Sequence, residues 1–529
     1  MKRLFASFLS LSLLLLSCTL STPIPDSPTA TPDIPVPTPD LPTATPDIPI
    51  PTPDLSSPTP KPDPMNTPWD DRSIFQSGLV ASEQSVLNEL EGASVYHIEF
   101  TIAGNLYQIT GTEEVRYTNT EDVELNEVQF RLFPNILGGE MTISNLTVDG
   151  QSITPEYQLA NSLMIVRLSA PLEVGQSIII KMEYAVTVPQ EVELNYGVLA
   201  YYDDVLAFAH SYPMIAVYDD EGWNAELPPQ DGDVTYADAA FFLVRIHAPK
   251  ELTLVTSGSE IRRDEEGQAQ VLTVANGPAR DFYLAASHAY EMVSQKIGEV
   301  TFRSYAKRDA MNGAQFALDV AVKSIDVFSR RYVPYPYTEF DIVATPNLAL
   351  GIEYPGMTAI TTRIYNVDGE YNGSPASIYM ESTVAHEVGH QWFYNLVGGD
   401  QLDDPWLDES LTQFVTLQYY ADQYGKNGED GFRSSLEGRW ARVGNANIPI
   451  GMPVASYQGA EYGAIVYGRG PLFFIALREE MGTEAFDAFL KEYTASLSWD
   501  IATPEYLQSL AEQKCACELD ALFAEWVHP

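Results

Sequence analysis

Between residues 386 and 409 the chain reads His386-Glu387-Val388-Gly389-His390 and then, after eighteen further residues, reaches Glu409. In a helix of 3.6 residues per turn, a four-residue step is one turn plus about 40°, so both imidazoles leave one face, roughly 6 Å apart along the axis. Two ring nitrogens so placed can share one ion. Glu387 lies beside that face, where it can take a proton from a water activated by the metal. Two histidines and a carboxylate on zinc leave a fourth position open, the mark of a catalytic site, and the chemistry implied is hydrolysis, with peptide bonds as the natural target. The competing reading is two surface histidines on a solvated helix.

Two helices must hold these groups. From Pro375 to Val397 the apolar residues Ile378, Met380, Val384, Ala385, Val388, Trp392, Phe393 and Leu396 recur with helical spacing, and Gly398-Gly399 stops the run. A second helix is predicted from Trp406 to Tyr424, entered through Asp403-Asp404-Pro405 and ended by Gly425, with Glu409 in its first turn.

The segment HEVGHQWFYNLVGGDQLDDPWLDES resembles the zinc segment of the aminopeptidase N type gluzincins, HExxHxWxGN followed by WLxEG. Upstream, YVPYPYTEFDIVATPNLALGIEYPGM (332–357) resembles that family's PYPY segment and exopeptidase motif; downstream, Val466-Tyr467-Gly468-Arg469-Gly470 resembles its VYxKG. The resemblance runs in order from about Tyr96 to the C-terminus. It implies one zinc ion on His386, His390 and Glu409, Glu387 as general base, Glu353 as the group that binds the substrate's amine, and Tyr467 as hydrogen-bond donor to the tetrahedral intermediate. It further places Gly351 on the strand that contacts substrate backbone, and Tyr462 where some relatives carry a second tyrosine. A carboxylate facing the cleft can pair with an α-ammonium and fix the register of a peptide, and a phenol with a pKa near 10 can stabilise an oxyanion.

Several residues depart from the family pattern. Leu350, Ile352 and Tyr354 replace Gly, Met and Asn around Glu353, Tyr394 replaces Gly before Asn395, and Asp408 and Ser410 flank Glu409 where Asn and Gly are usual. None removes a ligand. The expected function is a zinc aminopeptidase acting on peptides. The alternatives are an endopeptidase with the same metal chemistry, should Glu353 point away from the cleft, and a surface binding protein with a relict site.

The expected fold is α+β and multidomain: a β-rich, saddle-like N-terminal domain (69–294) followed by a thermolysin-like, mostly α catalytic domain (295–529), with the family's C-terminal helical domain truncated or absent. Alternation at Tyr96 to Phe100, Glu114 to Tyr117, Val128 to Leu132 and Phe241 to Ile246, with turns at Asp149-Gly150 and Ser257-Gly258, predicts the strands of the first. Tyr201, Tyr202, Tyr212 and Tyr218 are expected to be core residues or a wall of the cleft.

Ahead of these, Lys2-Arg3 precede the apolar run Leu4 to Leu16, which reads as a signal peptide (1–18). Leu15-Leu16-Ser17-Cys18 resembles a bacterial lipobox, implying lipidation of Cys18 and tethering in the cell envelope, since multiple acyl chains hold a protein stably at a membrane. Residues 19–68 are a Pro/Thr/Asp-rich stalk in which PTATPDIPVPTPDL (28–41) repeats at 42–55 with only Val36 changed, to Ile50. Such composition favours extended polyproline geometry and acts as a semi-rigid spacer. The 73 Asp and Glu against 29 Lys and Arg, a net charge of −44, argue against nucleic acid or an anionic membrane surface as direct partners. Apart from Cys18 only Cys515 and Cys517 occur, as a local disulfide or two small buried residues; His97, His210, His247, His288 and His528 lack ligand spacing.

Overall fold

The computed structural model describes residues 62–528 other than 230 and 233. The signal segment with Cys18, and the stalk as far as residue 61, lie outside the described residues.

Period-two alternation builds the first half. In the strand Val95–Ile102, Tyr96, Ile98, Phe100 and Ile102 are buried while Thr101 is exposed. It is central to an eight-stranded sheet, parallel to Ala240–Pro249 on one side and antiparallel to Gln108–Thr118 on the other. Two four-stranded sheets share its core, so that Val128, Val166, Leu206 and Leu284 belong to one apolar cluster with Phe100 and Val244. On the opposite face Met65, Trp69 and Phe75 cover Val95 and Phe241. The fold is therefore under way before Trp69: Pro64–Asn66 is a turn of 3-10 helix capped by Asp63, which also pairs with Arg245.

The second half is built on a five-stranded mixed sheet, in the order Tyr290–Ile297, Val300–Lys307, Glu339–Thr345, Met357–Thr361, Gly351–Tyr354. The strand Tyr290–Ile297 pairs along its whole length with Val300–Lys307, so a boundary drawn at 294 falls inside a strand of the catalytic sheet; the chain crosses over before Tyr290. Helix α1 (Met311–Arg331) and helix α2 (Ala376–Gly389) pack on each other, and α3 (Leu411–Trp440) lies against both. Gly389 lets α2 and α3 approach, since a Cβ there would sit 2.9 Å from Thr412 Cγ2.

The helices end differently from the sequence expectation, for physical reasons. The α2 pattern predicted to reach Val397 stops at Gly389; the chain then coils more widely, with Asn395, Leu396 and Val397 amides donating to the His390, Gln391 and Trp392 carbonyls, each five residues back. This places Trp392 and Phe393 both in the core. Gly425 does break α3, at φ 63°, ψ −153°, but helical geometry resumes beyond it and continues to Trp440.

A buried arginine ties the halves together through four carbonyls. Arg280, at the end of the strand Ala269–Ala279, donates to the carbonyls of Ala237 (3.0 Å), Asn395 (3.1 Å), Leu396 (3.2 Å) and Asp500 (2.6 Å). Gly398 makes room for it, because a Cβ there would lie 2.3 Å from the guanidinium carbon. Cys515 and Cys517 form a disulfide. Tyr212 belongs to the core and donates to buried Asp281, Tyr218 packs on Trp223, and Tyr202 is exposed; of that aromatic stretch it is Tyr196 that borders the cleft described below.

Candidate active site

His386 and His390 project from the last turn of α2 towards Glu409. His386 Nε2 is 3.2 Å from His390 Nε2 and 3.0 Å from Glu409 Oε2, and His390 Nε2 is 3.5 Å from the same oxygen. Ligands held about 2.0–2.1 Å from one ion at tetrahedral angles are separated by about 3.3 Å, so this triangle has the edges a zinc site requires. The donor set also fits, two imidazoles and one carboxylate, all three buried. Burial draws His386 down to a pKa of about 4, keeping it in the neutral ligand form. Burial pushes Glu409 the other way, but the hydrogen bond from His386 and the charge of His390 prevail and hold its carboxyl well below the usual range. Glu353, Glu387 and His390 form a second close group, but it omits His386 and supplies only one nitrogen.

Glu387 is 4% exposed and faces the same cleft. Its carboxyl fits into space that any side chain at 351 would occupy: a Cβ on Gly351 would lie 2.4 Å from Glu387 Oε1. Gly351, expected as a substrate contact, thus lines the cleft and also lets the edge strand pass close to Glu387. Burial first, and then the neighbouring Glu353, push the Glu387 carboxyl far up.

Glu353 lies on the edge strand Gly351–Tyr354, paired with Thr358 of Met357–Thr361, and points into the cleft, 7% exposed. Burial pushes it up to about 7, so a cation arriving beside it supplies the stabilisation its charged form lacks. Tyr354 now has a clear role: its ring stacks on Tyr283 of the β domain at 3.8 Å and 6°, clamping the edge strand between the two halves.

Tyr467 sits on a π-helical turn, Ile465–Arg469, and its hydroxyl donates to Glu409 Oε1 beside the metal ligands. Tyr462 packs edge-on against it at 5.7 Å and lines the same cleft. Glu409 is also on a π turn, Trp406–Ser410, and the two turns are tied by Ser410 Oγ donating to the Val466 carbonyl at 2.6 Å. Gly470 accommodates that serine, as a Cβ there would be 2.0 Å from its Oγ.

Two contributors escaped the sequence reading of roles. Asp408 Oδ1 is 2.6 Å from His390 Nδ1, which also faces the Phe393 carbonyl at 3.1 Å; the carboxylate makes the shorter contact and the carbonyl the better directed bond. Together they fix the Nδ1 proton, so that Nε2 is the atom presented to a metal. Gln401 donates its amide to both Asp408 and Glu353, linking the carboxylate beside His390 to the one on the edge strand. Only the flag that Asp stands where Asn is usual pointed to Asp408; nothing local marked Gln401. The Asp408→Asn variant should bind zinc about 10–100-fold more weakly, read by competition with a chromogenic chelator; unchanged affinity would remove Asp408 from the site's support.

A β-rich domain followed by a mixed sheet whose neighbouring helix carries HExxH, with a glutamate ligand on the next helix, is the architecture of a two-domain zinc metallopeptidase. Residues 316–526 match the Peptidase family M1 domain, in keeping with the resemblance to the aminopeptidase N type family. Among curated relatives, aminopeptidase M1-B of Oryza sativa subsp. japonica is 24% identical over 401 residues, 73% of this chain and 45% of that protein. Endoplasmic reticulum aminopeptidase 1 of Homo sapiens is 27% identical over 201 residues, 37% of this chain and 21% of that one. The chain thus spans less than half the length of these relatives. Among solved structures, the M1 zinc metallopeptidase from Deinococcus radiodurans superposes with a TM-score of 0.60 at 19% identity, covering 82% of this chain and 94% of that one. A mutant of that enzyme bound to a Tyr-Ser-Ala substrate gives 0.60 at 18%, covering 83% and 95%.

Proposed function

We propose that this protein is a zinc aminopeptidase that removes N-terminal residues from peptides, tethered at the outer cell surface through Cys18. The observation that carries the activity is the position of Glu353, buried in the cleft wall and grouped with Glu387 and His390 so that one carboxylate oxygen of each acid and a ring nitrogen lie within 4.8 Å of one another. A peptide amine paired with Glu353 puts the first peptide bond, and no later one, beside Glu387.

Zinc on His386, His390 and Glu409 would lower the pKa of water towards about 7 and polarise the substrate carbonyl. Glu387 accepts the proton of the attacking water and returns it to the leaving amine. Tyr467 gives up its bond to Glu409 Oε1 and donates to the developing oxyanion. Glu353 holds the ammonium, and Gln401 keeps its carboxylate turned to the cleft. Beyond Glu353 a neighbouring cavity of about 510 Å³, walled in part by Ile136, Leu194 and Leu227, can take the side chain of the residue removed. The tripeptide bound by the Deinococcus relative supports a peptide substrate.

The test is hydrolysis of an aminoacyl reporter against its N-acetylated form. Acetylation should lower kcat/KM by at least about 100-fold, the value of a charge-assisted pair in a dry site, and Glu353→Gln should erase most of that discrimination. Equal cleavage of both reporters favours an endopeptidase instead.

The tether rests on Lys2-Arg3, the apolar run to Leu16 and the lipobox-like Leu15 to Cys18. Among the described residues no helix is long and apolar enough to cross a membrane. In a bacterial host, Cys18→Ala should move the protein from the membrane fraction to the soluble fraction; unchanged fractionation would sink the lipid anchor.

A further inference from the structure

Two arginines line the catalytic cleft and take no part in the chemistry above. Arg439, in the last turn of α3, and Arg442, in the turn that follows, border the same cavity of about 490 Å³ as His386, Glu387, Glu409 and Tyr467. Arg439 is half-buried and spends one donor, Nη1, on the Tyr467 carbonyl at 3.2 Å; Arg442 is exposed. Among the described residues neither has a carboxylate within ion-pairing distance. In a chain with 73 acidic residues and 29 basic ones, two adjacent guanidinium groups without an acid between them call for an explanation. Their charges also reach each other, since Arg442 works against the protonated form of Arg439. Such a pair is costly to hold together and favours an anion that both can share.

The position of the pair is informative. Arg439 braces the turn that carries Tyr467, whose ring centroid lies 6.1 Å from that of His386. Glu353 instead groups with Glu387 and His390, with one ligand atom of each within 4.8 Å of the others. The cleft therefore has a carboxylate on the His390 side and two guanidinium groups on the His386 side, with the hydrolytic centre between them. A short peptide is a zwitterion with the same polarity: ammonium first, scissile carbonyl next, carboxylate last. Each extended residue spans about 3.3–3.6 Å, so opposite charges placed at the two ends of one cleft select for length as well as for charge.

We propose that Arg439 and Arg442 bind the free α-carboxylate of the substrate, making this protein selective for short peptides with an unblocked C-terminus. The proposal rests on the aminopeptidase reading for the direction in which the peptide lies. Arg439, fixed by its bond to the Tyr467 carbonyl, gives the site its geometry. Arg442 adds the second fork and, being exposed, makes the selectivity sensitive to salt.

The experiment measures binding rather than turnover. The zinc-loaded full chain carrying Glu387→Gln is titrated calorimetrically with Phe-Ala, Phe-Ala-Ala and Phe-Ala-Ala-Ala, each as the free acid and as the C-terminal amide. At one length the acid should bind about tenfold or more tightly than its amide. That preference should shrink as NaCl is raised, and fall to within about twofold when Arg442→Gln or Arg439→Gln is added. Acids and amides within about twofold of each other at every length, or a preference that survives both substitutions, overturns the proposal. So does equally tight binding of Phe-Ala-Glu amide, which would assign the arginines to an acidic side chain. If the wild-type chain cleaves none of these peptides while the acid preference persists, the aminopeptidase reading fails and the carboxylate site stands.

Discussion

Glu387→Gln should lower kcat about 10²–10⁴-fold, the usual contribution of a positioned general base, with zinc stoichiometry unchanged. Glutamine is the informative replacement because it retains the volume that Gly351 leaves open for this side chain, so the edge strand and Glu353 keep their places. A smaller residue would open a hole against Gly351 and mix a positional effect with the chemical one. The amide cannot accept the proton of the attacking water, whereas it still fills the wall of the cleft. Substrate affinity, read as the Kd of an uncleaved peptide, should change by less than about threefold, since Glu353 and the cleft walls remain. A variant that keeps more than a tenth of wild-type kcat would falsify the assignment of Glu387 as base.

Removing a ligand should have the larger effect. With His390→Ala the triangle of Nε2, Nε2 and Oε2 loses one corner, and both zinc content and peptide hydrolysis should fall by more than about 10³-fold. His386→Ala should match it in activity and, in the metal-free protein, in stability. His390 Nδ1 faces the Asp408 carboxylate and the Phe393 carbonyl, and His386 Nε2 faces the Glu409 carboxylate. Deleting either histidine therefore takes a partner from a buried carboxylate, which costs on the order of 3 kcal/mol and should show as a lower urea midpoint in the metal-free proteins. In the wild type, a chelator should abolish activity and added zinc restore it; neither variant should recover. Activity that persists through chelation would rule out the metal mechanism.

The ligands were legible because their signal is local. His386 and His390 are one turn apart on a single helix, and Glu409 follows across a short connection, so spacing alone puts them together. The strands of the β domain were legible for the same reason, since burial alternates residue by residue in Val95–Ile102. What spacing cannot show is a turn that changes its pitch. The wide turns at 390–397, 406–410 and 465–469 depend on how Trp392, Ser410 and Gly470 pack against distant segments, and they decide where Glu409 and Tyr467 finally point. Asp408, Gln401 and Tyr354 belong to the same class. Each could be seen to differ from its family pattern or to be unremarkable, but their partners His390, Glu353 and Tyr283 are joined to them by the fold rather than by sequence distance. The two arginines were passed over because a helix end rich in charge ordinarily faces solvent, and only the closure of the cleft turns it towards Tyr467.

Arg280 also sets an order of assembly. Its guanidinium leaves the ribosome with the first domain, but three of its four carbonyl acceptors come later: Asn395 and Leu396 more than a hundred residues on, and Asp500 after 220. Until the last of them is made, the arginine must stay hydrated, and the junction between the halves cannot be dry. Asn395 and Leu396 belong to the coil that leaves the HExxH helix, so that segment does not gain its full support until synthesis has passed Asp500.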